Sequence, residues 1–266
     1  MRMELFNNDC FEVFGQIKPK SIDAIICDLP YGTTHCAWDS ALPLDKLWDA
    51  YKRIIKPTGA IVLFGTEPFS SMLRVSNLSW FKYDWIWDKV RGTGFLNAKK
   101  QPMRNHEIIS VFYQKQCTYN PVMTEGHERK TALKRKNLQS EIYNLTYEDN
   151  FYDSTDRYPR SIQVFSTDIQ KEALHPTQKP LELLKYLVLT YTNPGETVLD
   201  NCMGSGTTGV ACKILDRHFI GIEKDPHYFE VARRRIDEQE ASLLPVTGNG
   251  FEAPELTAES LSGNLF

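Results

Sequence analysis

The residues best suited to chemistry in this sequence are Asp28, Leu29, Pro30 and Tyr31, which follow the apolar run 24–27. Four apolar or near-apolar residues in a row, as at 24–27, are typical of a strand that is buried on both faces of a sheet. Pro30 fixes its own φ and keeps Leu29 out of the helical region, so the strand must leave into an extended turn. A carboxylate, a constrained backbone carbonyl and an aromatic ring therefore emerge where a buried strand ends, which is where open α/β sheets bind ligands. The motif Asp-Xaa-Pro alone would more simply be a solvated turn.

A second group with binding chemistry is the glycine-rich turn of Gly204, Gly206 and Gly209, which lies between a predicted strand and a predicted helix. It matches the nucleotide-binding pattern G-x-G-x-x-G. Glu223 ends the next predicted strand, where a carboxylate can accept bonds from two ribose hydroxyls. This order of elements predicts a site for a cofactor that contains adenosine. The simpler alternative is a turn that packs a helix on a strand.

The residues just before the glycines discriminate between cofactors. Asp200 ends the preceding strand, and three residues separate it from Gly204. In dinucleotide-binding proteins the first glycine follows the strand almost directly, and the helix N-terminus meets a pyrophosphate. A carboxylate at position 200 would repel a pyrophosphate but can pair with a cationic amino group. S-adenosylmethionine has such a group and no phosphate, so the sequence favours this methyl donor over NAD.

The composition sets broad limits on function. The chain has 266 residues and a net charge of -3, with a pI near 6.1, so nucleic-acid binding has to rest on local basic clusters. The six cysteines form neither a Cys-x-x-Cys pair nor a Cys/His metal spacing. We therefore expect reduced thiols, no metal site and a cytoplasmic location. No apolar stretch approaches the roughly 18 residues that span a bilayer, and no signal-peptide pattern opens the chain.

The hydrophobic pattern alternates strands and helices, which predicts an α/β fold. A cofactor-binding sheet of this kind needs about six strands, and only one predicted strand follows the glycine turn. Strands from the N-terminal half must therefore lie beside the strand at 197–199, which puts Asp28 and Gly204 at one edge of the sheet. The predicted strands are 24–27, 60–65, 83–87, 107–113, 197–199 and 218–222, and the predicted helices are 42–55, 67–78, 181–192 and 207–215, with a final helix from 225.

Two segments are locally basic. Residues 89–104 contain five Lys or Arg and no acid, and residues 127–136 contain five Lys or Arg and one Glu. A single run of this kind is usually a solvated face, but two runs interleaved with aromatic residues fit phosphate contacts and base stacking better. The candidate nucleic-acid contacts are Lys99, Lys100, Arg104, Arg129, Lys130, Lys134, Arg135 and Lys136.

The order of these features resembles the amino-group DNA methyltransferases, in the permuted class whose catalytic motif precedes the cofactor motif. The resemblance rests on the turn from Asp28 to Tyr31, the basic middle, the segment 175–180 and the late glycine turn, and it covers about residues 4–236. The family motif is Asp/Asn/Ser-Pro-Pro-Tyr/Phe. Leu29 replaces its first proline but retains the backbone carbonyl that this proline contributes, so only the pre-set φ is lost.

The resemblance implies a Rossmann-like methyltransferase fold, with a mostly parallel, doubly wound sheet and a variable target-recognition insertion. We expect the catalytic half of this domain at 1–113, the insertion at 114–174 and the cofactor-binding half at 175–240. Residues 241–266 have little hydrophobic period and are expected to form a disordered tail.

The resemblance also implies roles for individual residues. Asp9 and Cys10 look like the pair near the cofactor adenine, and Glu223 looks like the ribose-binding acid. Thr177 and Lys179 look like parts of the motif that closes over the methionine end. The other candidate cofactor contacts, from the glycine turn, are Asp200, Gly204, Gly206 and Thr207.

The implied activity is methyl transfer from S-adenosylmethionine to adenine N6 in DNA, because Asp at the first motif position resembles the adenine enzymes more than the cytosine-N4 enzymes, which often have Ser. Asp28 and the Leu29 carbonyl would accept the N–H bonds of the amine, and Tyr31 would stack on a flipped-out base. Neither a metal nor a nucleophilic thiol is needed. Cytosine N4 is the closest alternative, followed by an NAD-dependent oxidoreductase and a non-catalytic DNA-binding relative. Family members are often dimers, so a homodimer is a further expectation.

Overall fold

The structure is a computed structural model of the protein. The structure describes residues 1–31, 42–134, 150–166 and 178–239. These residues form two compact units, of which the larger contains Met1–Asn120 and the chain from Arg160 onward, and the smaller spans Pro121–Pro159. The predicted tail at 241–266 lies outside the described residues.

One eight-stranded sheet forms the centre of the larger unit. Its strands are β1 (Met3–Asn7), β2 (Ile22–Cys27), β3 (Ile55–Gly65), β4 (Phe81–Thr93), β5 (Arg104–Phe112), β8 (Ile162–Val164), β9 (Thr197–Asp200) and β10 (His218–Glu223), while β6 (Lys130–Lys134) and β7 (Asn150–Ser154) belong to the smaller unit. The helices are α1 (Cys10–Phe14), α2 (Leu44–Ile54), α3 (Phe69–Ser76), α4 (Leu181–Tyr191), α5 (Thr207–Ile214) and α6 (Pro226–Glu238), with a 3₁₀ turn at Phe95–Asn97. In the described part of the chain, no helix is both long and apolar enough to cross a membrane.

The strand order is β1-β10-β9-β2-β3-β5-β4-β8. Neighbouring strands from β1 to β3 are parallel, β5 is antiparallel to both of its neighbours, and β8 is parallel to β4. Strand β9 lies between β10 and β2, with Leu199 opposite Ile25. The early and late strands therefore share one sheet, and the predicted α/β fold is confirmed.

The central strands are buried on both faces, as their unbroken apolar sequences require. On one face, Ile25 and Leu63 belong to a core cluster with residues of α1 and α2. On the opposite face, Ile26 and Phe64 are equally buried. Sheet residues alternate between faces, so the interior of the sheet has no solvated side at β2 and β3. Because both faces are packed, the carboxyl ends of β2 and β3 are held in place, and Asp28 directly follows the end of β2.

Two departures from the predicted elements concern β3 and the edges of the sheet. The predicted helix at 42–55 ends at Ile54, and β3 begins at once with Ile55, because Ile55 pairs with Ile22 before the register shifts to Ala60 opposite Ala24. The sheet also has more strands than the expected six, since the short strands β1 and β8 add to its two edges.

Strands β4 and β5 form a hairpin that extends past the carboxyl end of β3. The last residue of β3, Gly65, is opposite Ile108, whereas β5 begins at Arg104. Because β5 is antiparallel to β3, its first residues, including Glu107, lie where the parallel strands end. The hairpin thus brings residues from a strand's beginning to the edge that otherwise collects strand ends.

The smaller unit contains the antiparallel pair β6 and β7, with Lys130 opposite Ser154. Arg157 braces this pair from within the unit. Its guanidinium donates to the carbonyl oxygens of Ser154 at 3.0 Å and Asp156 at 2.8 Å. Charge-assisted bonds to backbone carbonyls of this kind fix the loop that follows β7.

Helix α5 approaches its neighbours through glycines. A Cβ atom at Gly209 would lie 2.4 Å from Ile236 Cδ1 and 2.8 Å from Phe219 Cε1. At Gly206, where φ is +78°, a Cβ atom would lie 2.8 Å from the Cβ of Ala232. These positions therefore have a packing reason to be glycine, as the simpler interpretation of the glycine pattern requires.

This packing predicts that Gly209→Ala destabilises the protein. The added methyl group enters a filled space, so we expect the free energy of unfolding to fall by about 2 kcal/mol in urea titrations. Gly15→Ala is the matched control, because Gly15 has a φ of -56° and a Cβ atom added there would lie 4.0 Å from its nearest neighbour. Equal stability of the two variants would contradict the packing role.

Candidate active site

Four carboxylates lie along the rim of the sheet where β1, β10, β9 and β2 end. The four strands are parallel neighbours, so their carboxyl ends share one edge. Asp200 and Glu223 are the last residues of β9 and β10, Asp28 directly follows β2, and Asp9 comes two residues after β1. The shared rim that the sequence predicts for Asp28 and the glycine turn is therefore present.

Both carboxylate oxygens of Asp28 accept bonds from within the protein. The Tyr31 hydroxyl donates to Oδ1 at 2.5 Å, and the Lys179 ammonium donates to Oδ2. A carboxylate has about four acceptor sites, so Asp28 can accept further donors. The Leu29 side chain is buried in the core cluster, and this burial anchors the backbone at the position where the related motif has a proline. Pro30 follows, half-buried.

A second carboxylate, Glu107 of β5, shares the Lys179 ammonium. Lys179 Nζ lies 3.3 Å from Glu107 Oε2, and Glu107 Oε1 pairs with Lys89 of β4. Asp28, Lys179, Glu107 and Lys89 thus form a chain of alternating charges, which we call the rim ion cluster. The side chains of Lys179 and Glu107 are only 10% and 9% exposed, and groups this deeply buried remain charged only when they are paired.

The pKa values in the rim ion cluster follow from burial and from this alternation. Burial raises the pKa of Asp28; the Lys179 ammonium opposes that rise and Glu107 adds to it. Burial works against ionisation of Glu107, but Lys179 and Lys89 outweigh it and lower the pKa of this carboxyl. Burial also disfavours the charged form of Lys179, yet Asp28 and Glu107 raise its pKa. Each acidic side chain of the cluster therefore lies beside the amino group of at least one lysine.

The glycine turn is tied to the segment that carries Lys179. The Ser205 hydroxyl donates to the side-chain oxygen of Gln178, the neighbour of Lys179, at 3.1 Å. On its other side the turn contacts the end of β10, where the N–H of Gly204 donates to Glu223 Oε2 at 2.9 Å. Burial raises the pKa of Glu223, although bonds from backbone N–H groups oppose this. The turn therefore bridges the end of β10 and the Asp28 side of the rim.

Asp200 faces the start of α5. Its Oδ2 accepts the Thr208 hydroxyl at 2.7 Å, and its Oδ1 accepts the backbone N–H of Cys202 at 3.1 Å. Burial raises the pKa of Asp200 to about 6. Gly206 and Thr207, which begin α5, are held by this arrangement. The observed bonds of Asp200 anchor the turn, and its pairing with a cofactor amino group stays a prediction.

Asp9 caps α1, as its position before the helix suggests. Its Oδ1 accepts the N–H of Phe11 at 3.0 Å, and its Oδ2 pairs with Lys224 at 3.0 Å. Burial opposes ionisation of Asp9, but these two partners outweigh it and lower the pKa. The neighbouring Cys10 is buried, and burial raises the pKa of its thiol to about 12. The thiol is therefore neutral at physiological pH and suits packing rather than nucleophilic chemistry.

Comparison with known proteins decides the family. The family model described as DNA methylase, which represents N6 and N4 enzymes, matches residues 22–234. This span contains Asp28, Glu107, Lys179 and the glycine turn. The chain belongs to the N6/N4 DNA methylase family.

The relatives of this methylase include two Type II methyltransferases from Haemophilus species. The Type II methyltransferase M.HinfI of Haemophilus influenzae is 28% identical over 268 residues, which cover 88% of this chain and 68% of the relative. The Type II methyltransferase M.HpaI of Haemophilus parainfluenzae is 27% identical over 256 residues, which cover 90% and 76%.

Solved structures confirm the predicted Rossmann-like methyltransferase fold. M1.HpyAVI, crystallised as a complex with SAM, is 25% identical and has a TM-score of 0.60, over 88% of this chain and 99% of that one. The PvuII cytosine-N4-specific DNA methyltransferase has a TM-score of 0.62 over 88% and 86% of the two chains. At 13% identity this second likeness shows the fold alone.

The candidate DNA contacts of the methylase divide between the two units. Lys99, Lys100 and Arg104 are exposed on the β4–β5 hairpin. In the smaller unit, Arg129 donates two bonds to Asp153, at 2.8 and 2.6 Å. Lys130 lies at the start of β6, and Lys134 lies at its end. Arg135 and Lys136 lie outside the described residues, as does the candidate cofactor contact Thr177.

Sequence reasoning missed Glu107 and Lys89 as members of the site. Glu107 is the first residue of a predicted apolar strand, and only Asn105 and His106 separate it from the segment 89–104, which has five basic residues and no acid. A carboxylate that leads into a buried strand needs a cationic partner. That signal could have paired Glu107 with the basic segment, but it gives no reason to expect Lys179.

The rim ion cluster predicts a measurable coupling in stability. Lys179→Met leaves two carboxylates without their shared ammonium, so we expect the free energy of unfolding at pH 7 to fall by about 3 kcal/mol. In the double variant Asp28→Asn/Lys179→Met the loss should be smaller than the sum of the two single losses, because the same contact is removed twice. Urea unfolding of the four proteins measures this difference, and additive losses would contradict the pairing.

Proposed function

We propose that this methylase transfers a methyl group from S-adenosylmethionine to N6 of adenine in DNA. The observation that carries the proposal is the position of Asp28. Its carboxylate stands at the end of a buried central strand, on the same rim as the glycine turn. The Ser205–Gln178 bond joins that turn to the residue before Lys179, and Lys179 is the partner of Asp28. An acceptor for the amino group and the expected donor site thus lie side by side.

Asp28 and Leu29 make the target amine more nucleophilic. An exocyclic amine is a poor nucleophile because its lone pair is delocalised into the ring. The Asp28 carboxylate and the Leu29 carbonyl accept hydrogen bonds from its two N–H groups. These bonds draw the nitrogen toward a tetrahedral shape and localise the lone pair. Positioning and preorganised electrostatics then provide most of the rate acceleration.

Tyr31 is the stacking platform for the target base. A base inside a duplex cannot reach Asp28, so it has to be flipped out of the helix. The Tyr31 ring lies 5.0 Å from the Phe69 ring, centroid to centroid, and its hydroxyl bond to Asp28 holds it at the rim. Stacking of a base on such a ring contributes about 1–3 kcal/mol.

The rim fits a cationic methyl donor better than a dinucleotide. Asp9, Asp28, Asp200 and Glu223 place carboxylates at four adjacent strand ends, where a pyrophosphate would be repelled. S-adenosylmethionine supplies a methyl group on a positively charged sulfonium and carries no phosphate. This argues against the NAD-dependent alternative. The residues that would hold the donor are Asp9, Cys10, Thr177, Lys179, Asp200, Gly204, Gly206, Thr207 and Glu223.

DNA recognition is assigned to the β4–β5 hairpin and to the insertion at 114–174. Lys99, Lys100 and Arg104 are exposed on the hairpin and suit phosphate contacts. The two Haemophilus relatives are named Type II methyltransferases, so a place in a cytoplasmic restriction–modification system belongs to the same proposal. A homodimer remains an expectation from the family resemblance.

The choice of adenine rests on the first residue of the motif. Asp28 resembles the adenine-N6 enzymes, whereas cytosine-N4 enzymes often have Ser at this position. The likeness to the cytosine-specific PvuII enzyme concerns the fold, at 13% identity, and does not bear on the base. Cytosine N4 is therefore the second candidate.

Mass spectrometry of nucleosides tests the base. DNA made by PCR carries no methylated base, so incubation with the methylase and S-adenosylmethionine that bears a deuterated methyl group should yield labelled N6-methyladenine. A reaction with heat-inactivated protein is the control. Labelled N4-methylcytosine without N6-methyladenine would refute adenine while leaving DNA methyl transfer in place. If neither labelled base formed, the proposed activity itself would be refuted.

A further inference from the structure

Glu107 is a buried charge that the proposed chemistry does not use. It lies on β5, and 7% of the surface of the whole residue is exposed. The ammonium groups of Lys89 and Lys179 lie on its two sides. The Trp87 ring lies 5.1 Å from Lys89 Nζ and the Phe64 ring 5.2 Å from Lys179 Nζ. These rings cover the ammonium groups against water. A carboxylate is rarely buried in this way without a task or a compensating partner.

The Lys179 ammonium is shared unequally between its two carboxylates. It donates a hydrogen bond to Asp28, whereas its contact to Glu107 Oε2, at 3.3 Å, is an ion pair without hydrogen-bond geometry. Among the described residues, this buried oxygen has no hydrogen-bond partner. Glu107 Oε2 therefore holds the Lys179 ammonium by a longer and weaker contact than Asp28 does, and a small rotation of the Lys179 side chain would strengthen it.

We infer that Glu107 is a positioning residue for methyl transfer, which takes up the Lys179 ammonium when the target amine bonds to Asp28. The inference rests on the proposed role of Asp28 as the acceptor of that amine. An ammonium is a stronger donor than a neutral amino group. Asp28 keeps acceptor sites for the amine, but an ammonium that stayed bonded to it would draw charge from the carboxylate and weaken it as an acceptor. The free oxygen of Glu107 offers it a second position without leaving a buried charge unpaired.

Glu107 also sets the charge that Asp28 experiences. The groups that act on Asp28 are Tyr31 on its own turn, Lys179 before α4, Glu107 on β5 and Asp200 at the end of β9, and Lys89 of β4 acts through Glu107. The cluster contains two lysines and two acidic residues. Removing the charge of Glu107 leaves an excess positive charge beside Asp28, whereas removing Lys89 leaves an excess negative charge.

These two changes should move the pH dependence of the reaction in opposite directions. Asp28 accepts N–H bonds only when it is ionised, so the rate falls as the pH drops through its pKa in the folded protein. Glu107→Gln removes a neighbour that raises the pKa of Asp28, so the acid limb should move to lower pH. Lys89→Gln removes a compensating cation, so the acid limb should move to higher pH. Shifts of about one pH unit are expected for charges at this range.

The experiment is single-turnover transfer of labelled methyl groups to DNA, with saturating S-adenosylmethionine and DNA, as a function of pH. Wild type, Glu107→Gln, Lys89→Gln and Glu107→Asp are compared. Glu107→Asp keeps the charge, so its acid limb should stay near that of wild type. Lys56→Gln is the matched control, because it breaks the Lys56–Asp23 pair, 2.6 Å long, at the opposite end of β2 and leaves the bond from the Thr197 N–H to Asp23 in place. Its acid limb should coincide with that of wild type.

Opposite shifts for Glu107→Gln and Lys89→Gln would support the inference, because a general loss of packing cannot produce shifts of opposite sign. If either variant does not fold, the sign of the other still decides. Unchanged acid limbs in every folded variant would overturn the positioning role of Glu107. That failure is distinct from failure of the proposed function, because the assay counts methyl groups on either base and wild type is measured in the same series.

Discussion

Strands β2 and β9 are parallel neighbours, and this pairing is the constraint on which the active rim depends. It brings together Asp28 and the glycine turn, which are far apart in the sequence. Two polar ties close the arrangement, from Lys179 to Asp28 and from Ser205 to Gln178. Because both bonds involve the short segment before α4, this segment links the Asp28 side of the rim to the glycine turn.

Much of this arrangement could be predicted because its signals are local. The unbroken apolar runs at 24–27 and 60–65 can only be strands that are buried on both faces, and Asp28 marks where the first of them ends. The glycines locate the turn after β9, and Glu223 locates the end of β10. Parallel strands then place these ends at a common edge without any knowledge of side-chain contacts.

The rest depended on contacts between distant segments, which hydrophobic pattern does not encode. Nothing in the run 107–113 shows that β5 is antiparallel, so the arrival of Glu107 at the rim could not be foreseen. Lys179 was expected over the cofactor, and the structure shows it bonded to Asp28 and near Glu107. The pairing of Asp200 with a ligand stays a prediction, and its bonds to the turn itself could not be foreseen. In each case the order and direction of the strands determine which groups lie beside the buried charge.

The most direct test of the account is the rate of methyl transfer by Asp28→Ala in a single turnover, measured together with its affinities for S-adenosylmethionine and DNA. Glu230→Ala, which removes an exposed ion pair with Arg233 on α6, is the control. The account predicts that the Asp28→Ala rate falls by about 100-fold or more while both affinities persist, because the lost acceptor acts on the reacting amine. A rate equal to that of the control would contradict the central role of this carboxylate.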